Sequence, residues 1–314
     1  MFMASKHHPG PQTVGSEDGE DRGSEAESEG GEEEGEDKRL SPDECAKRRK
    51  WEREQEELKE RLEVEDGEEV ASWEGDTLPF ARLTTIAGVD ISFDKAHPDH
   101  ACAMLTVLTY PELKVVHESR AVVEMREPYI PGFLAFREVD FLLERLREVQ
   151  RQHPQHYPQM ISWKECLKGE AKFCAQEKER VCSRCPPTSR RQRFGLASHL
   201  GVLADIPSIG VGKKLYHVDG LEKGPDHKQR IQTQLRKRGD YFHLIGDSGM
   251  IWGAAVRTSA EATNPVYVSV GHKISLDTAV GLVLACSLKR VPEPVRQADL
   301  LSRKYLRKEK RTHK

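Results

Sequence analysis

The spacing of apolar residues along the chain changes several times, and each change predicts a different element. Three apolar runs, beginning at Thr84 (TTIAGVDISF), Ala101 (ACAMLTVLTY) and Lys114 (KVVHESRAVVEM), favour three consecutive antiparallel strands. From Pro131 apolar residues recur every three or four positions, and this predicts a helix that ends before Pro154. Strands in the first half are therefore followed by a long amphipathic helix.

The second half of the chain repeats this alternation. We predict a helix over 196–203, followed by strands at 206–212, 241–246, 250–258 and 265–271. A helix from Leu276 and a last helix from Pro294 complete the chain. Ser41-Pro42-Asp43-Glu44 has the features of a capped helix start, and that helix should reach about Glu65. Strands interleaved with helices predict an α/β fold, with a sheet covered on its faces.

The first forty residues have no apolar pattern. Between positions 16 and 37 twelve acidic residues stand against one basic residue, Arg22, without any aromatic or β-branched residue. We expect 1–40 to be a disordered acidic tail, 41–308 to form one domain and 309–314 to be a basic tail. The acidic segment carries −11 of a formal net charge of −3, so the remainder sums to +8, which is typical of a protein that binds a polyanion.

Composition also bears on the compartment in which the protein is expected. The sequence has no apolar run of the ~18 residues that a membrane-spanning helix needs, and its start, MFMASKHHPG, has no signal-peptide pattern. Seven cysteines, an odd number, do not suggest a disulfide framework. We expect an intracellular protein without a membrane partner.

Two carboxylates stand where the pattern predicts burial. Asp90 interrupts an apolar strand, and Glu138 lies on the apolar stripe of the helix that follows Pro131. Two inward carboxylates can hold a divalent cation, and oxygen ligands favour Mg²⁺ or Mn²⁺. The alternatives are an Asp90 that is solvated or paired with a lysine, and a Glu138 that reaches water or Arg137.

Five segments resemble, in order and in approximate spacing, the motifs of the endonuclease V family: IAGVDISF, PYIPGFLAFRE, GVGKKL, VSVGHKISLD and PEPVRQADLLSR. The resemblance implies an RNase H-like fold, a mixed β-sheet flanked by helices. It also implies an endonuclease that uses Mg²⁺, with Mn²⁺ as the alternative metal, to cut a phosphodiester bond near a deaminated base.

The resemblance assigns roles to individual residues. Asp90 and Glu138 would be metal ligands and catalytic residues, and Lys213 would lie near the scissile phosphate. His272 would act as an acid, a base or a phosphate donor, and Asp299 would assist a second metal. The alternatives are a solvated Lys213, a structural His272 at a strand end and a capping or ion-paired Asp299.

The motif around Tyr129 resembles the family's wedge, which fills the space left by the modified base. Pro128 and Ile130 would hold the tyrosine in place, although Tyr129 could also pack on the following helix. Near the carboxyl terminus, basic residues would contact phosphates or form a solvated tail. These basic residues are Arg303, Lys304, Arg307 and Lys308.

One block departs from the family pattern. The family places a buried strand ending in Asp-Gly-x-Gly about two dozen residues after the helix glutamate, and Lys164 stands where that aspartate would fall. The block 160–193 shows no strand pattern and carries a net charge of +5, so we expect this strand to be absent. Cys182-x-x-Cys185, with Cys166 and Cys174, suggests a zinc site, but the first two cysteines of the block, Cys166 and Cys174, are spaced like no common zinc module.

Taken together, these features predict an endonuclease for inosine-containing nucleic acid, with single-stranded RNA preferred. One alternative is an impaired form that binds inosine-containing nucleic acid without cutting it, because Lys164 would weaken metal binding. The other is a DNA repair nuclease for deoxyinosine. We expect the protein in the nucleus and nucleolus and in the cytoplasm.

Overall fold

An eight-stranded mixed sheet organises the residues that the structure, a computed structural model, describes: 41–75, 79–94, 96–97, 99–128, 130, 132–165 and 194–312. Its strands are β1 (Thr85–Phe93), β2 (His100–Thr109), β3 (Val115–Glu124), β4 (Met160–Glu165), β5 (Ser208–Gly212), β6 (Tyr241–Ile245), β7 (Ile251–Val256) and β8 (Val266–His272). Their order in the sheet is β3-β2-β1-β4-β5-β8-β7-β6. The predicted α/β fold with a mixed sheet is confirmed.

Three parallel strands lie at the centre of the sheet. β4 pairs in parallel with β1 on one side and with β5 on the other. β2 and β3 continue from β1 as antiparallel neighbours, as predicted, and β8, β7 and β6 extend the other side in the same way. The carboxyl ends of β1, β4 and β5 therefore meet at one edge of the sheet.

Helices follow the predicted alternation. The longer ones are α1 (Pro42–Glu60), α3 (Leu134–Gln152), α4 (Leu196–Ala204), α5 (Pro225–Gln234), α6 (Leu276–Ala285) and α7 (Glu293–Thr312), and α2 (Glu68–Ala71) is a single turn. The capping box at Ser41 and Glu44 is present. α5 was not predicted, because PDHKQRIQTQ has too few apolar residues to show a helical stripe.

α1 ends five residues before the predicted Glu65. Beyond the helix the backbone turns to β8, where the Glu63 amide donates to His272 and the Glu63 carbonyl accepts from the Lys273 amide. These tertiary hydrogen bonds compete with further helical turns. At the other end of the chain, α7 continues to Thr312 and so passes the expected boundary at 308.

Each face of the sheet has its own helical cover. Ala87, Val89 and Ile91 of β1 belong to the apolar cluster that contains the inward residues of α3 and α4. Ile86, on the opposite face, belongs to the cluster that contains α6 and the start of α7. Side chains alternate along a strand, so Asp90 points to the same face as Ile86, the face that α7 covers.

Gly88 allows α7 to pack closely on β1. A Cβ at this position would overlap the carbonyl group of Pro294, and this group lies in the first turn of α7. Only glycine permits so close an approach of two backbones. The contact fixes the helix over β1 and thereby positions the residues further along it.

The expectation that the strand after α3 is absent was wrong. Met160–Glu165 forms β4 in the middle of the sheet, and Met160, Ile161 and Trp163 are at most 4% exposed. The strand is covered on both faces, and such strands read as continuous apolar runs rather than as an alternation. Six residues give too short a run for that pattern to stand out.

Several expectations lie outside the described residues. These are the disordered tail at 1–40, the remainder of the atypical block at 166–193 with its four cysteines, and the wedge residue Tyr129. Among the helices that the structure describes, none is both long enough and apolar enough to cross a membrane.

Candidate active site at the carboxyl ends of the parallel strands

Asp90, Lys164 and Asp299 come together from β1, β4 and α7. Val89 pairs with Trp163, so that the next residues along the two parallel strands, Asp90 and Lys164, stand side by side. α7 crosses β1 and β2 on the face to which Asp90 points, and it carries Asp299 to the same place. A strand pairing and a helix packing thus create one cluster from positions far apart in sequence.

The Lys164 ammonium group lies between the two carboxylates. Its Nζ is 3.1 Å from Asp90 Oδ1 and 2.5 Å from Asp299 Oδ1. Asp299 has two further cationic partners, since its Oδ2 accepts from Lys213 Nζ at 3.4 Å and from the Arg303 guanidinium. The prediction left open that Asp90 pairs with a lysine, and the structure shows this pairing.

The second oxygen of Asp90 is held by two hydroxyl groups. Ser92 Oγ lies 2.9 Å and Ser302 Oγ 2.7 Å from Asp90 Oδ2, and the two hydroxyls are 2.7 Å apart. Both serines are buried. Asp90 is therefore a fully engaged buried carboxylate, with an ammonium on one oxygen and hydroxyls on the other.

The carboxylates of the cluster are buried, and its cationic groups are more exposed. The side chains of Asp90 and Asp299 are 2% and 5% exposed, and that of Lys164 is 15% exposed. Lys213 and Arg303 are 41% and 48% exposed. Two carboxylates thus lie beneath three cationic groups, and the surface that a ligand meets is positive.

This pairing shifts protonation equilibria. Burial acts to lower the pKa of Lys164, but the Asp90 and Asp299 carboxylates outweigh it and raise that pKa above its ordinary value. Burial acts to raise the pKa of Asp299, yet the hydrogen bond and charge of Lys164, together with Lys213 and Arg303, leave that pKa lowered. Lys164 stays protonated and Asp299 ionised at neutral pH.

A divalent metal does not fit the arrangement of these side chains. Mg²⁺ needs oxygen ligands about 2.1 Å away, and the ammonium of Lys164 already occupies the space between the Asp90 and Asp299 oxygens. Its positive charge would also repel a metal ion. In the described part of the chain no group of three or more His, Cys, Asp or Glu side chains is arranged to hold a metal.

Glu138 is buried on α3, with 2% of its surface exposed. The apolar neighbours of Glu138 on that helix pack on the face of β1 that carries Val89 and Ile91, whereas Asp90 points to the other face. The burial that we inferred from the apolar stripe is confirmed. The pairing of Glu138 with Asp90 around a metal stays a prediction.

His272 lies away from this cluster. It pairs with Ser208, the first residue of β5. Lys213 follows the last residue of that strand and lies about 17 Å from Ser208 along the strand direction. His272 Nδ1 accepts from the Glu63 amide, and Nε2 is 3.6 Å from Asp205 Oδ1. Burial lowers the pKa of His272, against the influence of Asp205. The antiparallel register of β8 therefore does not bring this histidine to Asp90, and its catalytic role stays a prediction.

The residues expected to contact nucleic acid lie in two places. Ile130 is 1% exposed and packs on Trp51 and Phe133, while Pro128 is partly exposed. The contact of both residues with nucleic acid stays a prediction. Arg307 and Lys308 are exposed on α7. Arg307 follows Arg303 by one helical turn, so the basic surface of the cluster continues along the helix.

Sequence reasoning missed Ser92 and Ser302 and gave Arg303 a phosphate contact only. Each of the three lies at a sequence spacing that places it beside a candidate carboxylate. Ser92 shares the strand face of Asp90 two residues away, and Ser302 and Arg303 follow Asp299 by three and four residues on one helix. A search for polar residues at these spacings around each candidate carboxylate would have found all three.

The chain is similar in sequence to known nucleases. The sequence model described as Endonuclease V matches residues 69–161 and 188–300, and the unmatched stretch contains Lys164. Endonuclease V of Homo sapiens is 43% identical over 258 residues, 82% of this chain and 83% of the human protein. That of Mus musculus is 44% identical over 258 residues, 82% of this chain and 69% of the mouse protein.

Solved structures agree with these sequence matches. The crystal structure of human endonuclease V covers 83% of this chain and 98% of its own, with a TM-score of 0.71 and 41% identity. A substituted form of Ciona intestinalis endonuclease V, in complex with an inosine-containing DNA, covers 86% of this chain and 99% of its own, with a TM-score of 0.69 and 28% identity. The chain belongs to the endonuclease V family of nucleases.

Proposed function

We propose that this chain recognises inosine in nucleic acid, single-stranded RNA in preference to DNA, as the substrate of an endonuclease V reaction. In that reaction a phosphodiester bond near inosine is hydrolysed with Mg²⁺, or with Mn²⁺. One observation carries the proposal: Asp90, Lys213 and Asp299, from three separate motifs, meet at one edge of the sheet. The protein would act in the nucleus, the nucleolus and the cytoplasm.

Two features support a nucleic-acid substrate. Lys213 and Arg303 are the most exposed groups of the cluster, and Arg307 and Lys308 extend its positive surface along α7. Such a row of cations suits the phosphates of a single strand. The Ciona intestinalis relative binds a DNA in which inosine is followed by a ribo-adenosine, and this supports both inosine and a ribonucleotide as determinants.

A second candidate function is binding of inosine-containing nucleic acid without cleavage. Lys164 favours it, because its ammonium lies between the carboxylates that a metal-dependent nuclease would use. Lys213 and Arg303 would still meet a phosphate, and Tyr129 would still fill the space left by a displaced base. Endonucleases of this family depend on a metal, so a chain with this cluster would retain the ligand and lose the reaction.

One experiment separates these outcomes. Single-stranded RNA and DNA oligonucleotides of one sequence, carrying either a single inosine or adenosine, are incubated with the protein in Mg²⁺, Mn²⁺ or EDTA. Binding is measured by fluorescence anisotropy and cleavage on a denaturing gel. Metal-dependent nicking near inosine, abolished by Asp90→Ala, supports the nuclease. Inosine-selective binding without a nick supports the second candidate. Equal binding of the inosine and adenosine strands rejects both.

A further inference from the structure

We infer that Lys164 is a built-in cation that takes the place of a divalent metal ion between Asp90 and Asp299. The wild-type site is then complete without a metal, and it binds a phosphodiester through Lys213 and Arg303. The choice of phosphodiester ligand rests on the second candidate of the proposed function, binding of inosine-containing nucleic acid without cleavage. The replacement of the metal by Lys164 does not, because it follows from the contacts of the cluster alone.

Two buried carboxylates require a counter-charge. Asp90 and Asp299 converge on a single point although they come from β1 and α7, and an unpaired buried carboxylate costs several kcal/mol. Lys164 Nζ contacts one oxygen of each and is itself only 15% exposed. The ammonium therefore joins the helix to the strand electrostatically, as a bridging metal ion would.

The neighbouring partners complete this arrangement. The other oxygen of Asp90 accepts from Ser92 and Ser302, and the other oxygen of Asp299 accepts from Lys213 and Arg303. Each of the four carboxylate oxygens thus has a donor. A hard cation would have to displace the Lys164 ammonium before it gained a ligand from both residues.

The charge balance determines which ligand the site attracts. Two carboxylates and three cationic side chains leave a net charge of +1 in the cluster. The surplus lies outside, on Lys213 and Arg303, which are 41% and 48% exposed. A site of this composition attracts an anion such as a phosphodiester and repels a free metal ion.

Thermal unfolding with and without metal tests the inference. We expect Mg²⁺ and Mn²⁺ to leave the Tm of the wild type unchanged at constant ionic strength. In Lys164→Asp three carboxylates would converge and require a metal, so Mn²⁺ at tenfold its Kd should raise the Tm by about 3 °C or more. A rise of this size in the wild type, with none in the variant, would overturn the inference.

Two further variants keep the test decisive. If Lys164→Asp does not fold without metal, Lys164→Ser removes the ammonium without adding a charge and should show the same Mn²⁺ response. Lys213→Ser is the matched control, because Lys213 contacts Asp299 and leaves the Lys164 bridge in place. It should show no metal response, and a response equal to that of Lys164→Ser would contradict a specific role for Lys164. The oligonucleotides are absent from this assay, so failure of the proposed function cannot mimic either result.

Discussion

The two ends of β5 hold charged clusters that differ in burial. Beyond the carboxyl end, Asp299 is 5% exposed and contacts Lys164, Lys213 and Arg303. At the amino end, Asp205 is 72% exposed and contacts His272 and Lys273. Both clusters contain a residue from a family motif, but only the first removes its carboxylates from water.

This difference in burial decides how much each ion pair matters. A pair at the surface exchanges water contacts for ionic contacts at almost no net gain, whereas a buried carboxylate that loses its partner keeps its full desolvation cost. Burial therefore also distinguishes the candidate active site from an ordinary ion pair at the surface. The Asp90 and Asp299 carboxylates are held in place by all their neighbours, while Asp205 can be satisfied by solvent.

Replacement of the lysine in each cluster, Lys164 at one end of β5 and Lys273 at the other, should give the largest difference in the free energy of unfolding. Lys164→Met leaves Asp90 and Asp299 without their shared partner, so we expect a loss of about 3–5 kcal/mol in the free energy of unfolding. Lys273→Met breaks a pair with the exposed Asp205 and should cost less than about 1 kcal/mol. Urea unfolding of both variants measures the difference. Equal losses would show that burial does not separate the two clusters.

A buried histidine on α4, the helix that leads to Asp205, should make stability depend on pH. His199 packs against Phe136 and Phe194, and burial lowers its pKa to about 4. The unfolded chain takes up this proton near the ordinary value of about 6.5, so stability is full above that pH and is lost as pH falls toward 4. The total loss from this group should be about 3 kcal/mol.

Urea unfolding from pH 7 to pH 4 measures this effect as the difference between the wild type and His199→Leu. The variant lacks the titrating group, so its stability should fall less steeply over this interval. A decline of the same slope in both proteins would exclude His199 as its origin.

The close packing of α7 on β1 should be sensitive to one methyl group. Gly88→Ala introduces a Cβ that overlaps the Pro294 carbonyl, so α7 must move, at a cost of about 1–3 kcal/mol. Gly195→Ala is the control, because a Cβ there meets no atom of the described residues within 4 Å and only a helix N-cap changes, at less than about 1 kcal/mol. Chemical unfolding compares the two, and a Gly88→Ala protein as stable as the control would contradict the close approach.

Two buried serines should respond in opposite directions. Among the residues that the structure describes, the Ser162 hydroxyl on β4 has no hydrogen-bond partner, whereas Ser208 on β5 donates to the Ala197 carbonyl at 2.8 Å. Ser162→Ala should therefore stabilise the protein by about 1 kcal/mol and Ser208→Ala should destabilise it by about as much. The Tm of each variant relative to the wild type measures both changes. Shifts of the same sign would contradict the different hydrogen bonding of the two serines.

Much of the fold could be predicted from local pattern. Antiparallel strands β1 to β3 and helix α3 have strong periodicity, and their prediction is confirmed. β4 was missed because a strand buried on both faces has no alternation. α1 was predicted too long because its end is set by tertiary hydrogen bonds between Glu63 and β8, and no local sequence signal reports such bonds.

The candidate site was predictable residue by residue but not as a cluster. Asp90 and Glu138 were correctly expected to be buried, because burial follows from periodicity. Which residues meet depends on strand register, and register separated His272 from Lys213 and placed Lys164 beside Asp90. The contact of Lys164 with Asp299 depends in addition on helix packing at Gly88, which no spacing in the sequence encodes.

The most direct test of Lys164 as the resident cation is the affinity of the wild-type protein for an inosine-containing RNA in EDTA and in Mg²⁺, at equal ionic strength. Because Lys213 and Arg303 supply the positive surface without a metal, we expect Kd values that agree within about twofold. A Kd that rises tenfold or more in EDTA, a loss of about 1.4 kcal/mol, would contradict the account, because a bound metal and not Lys164 would then hold the site together.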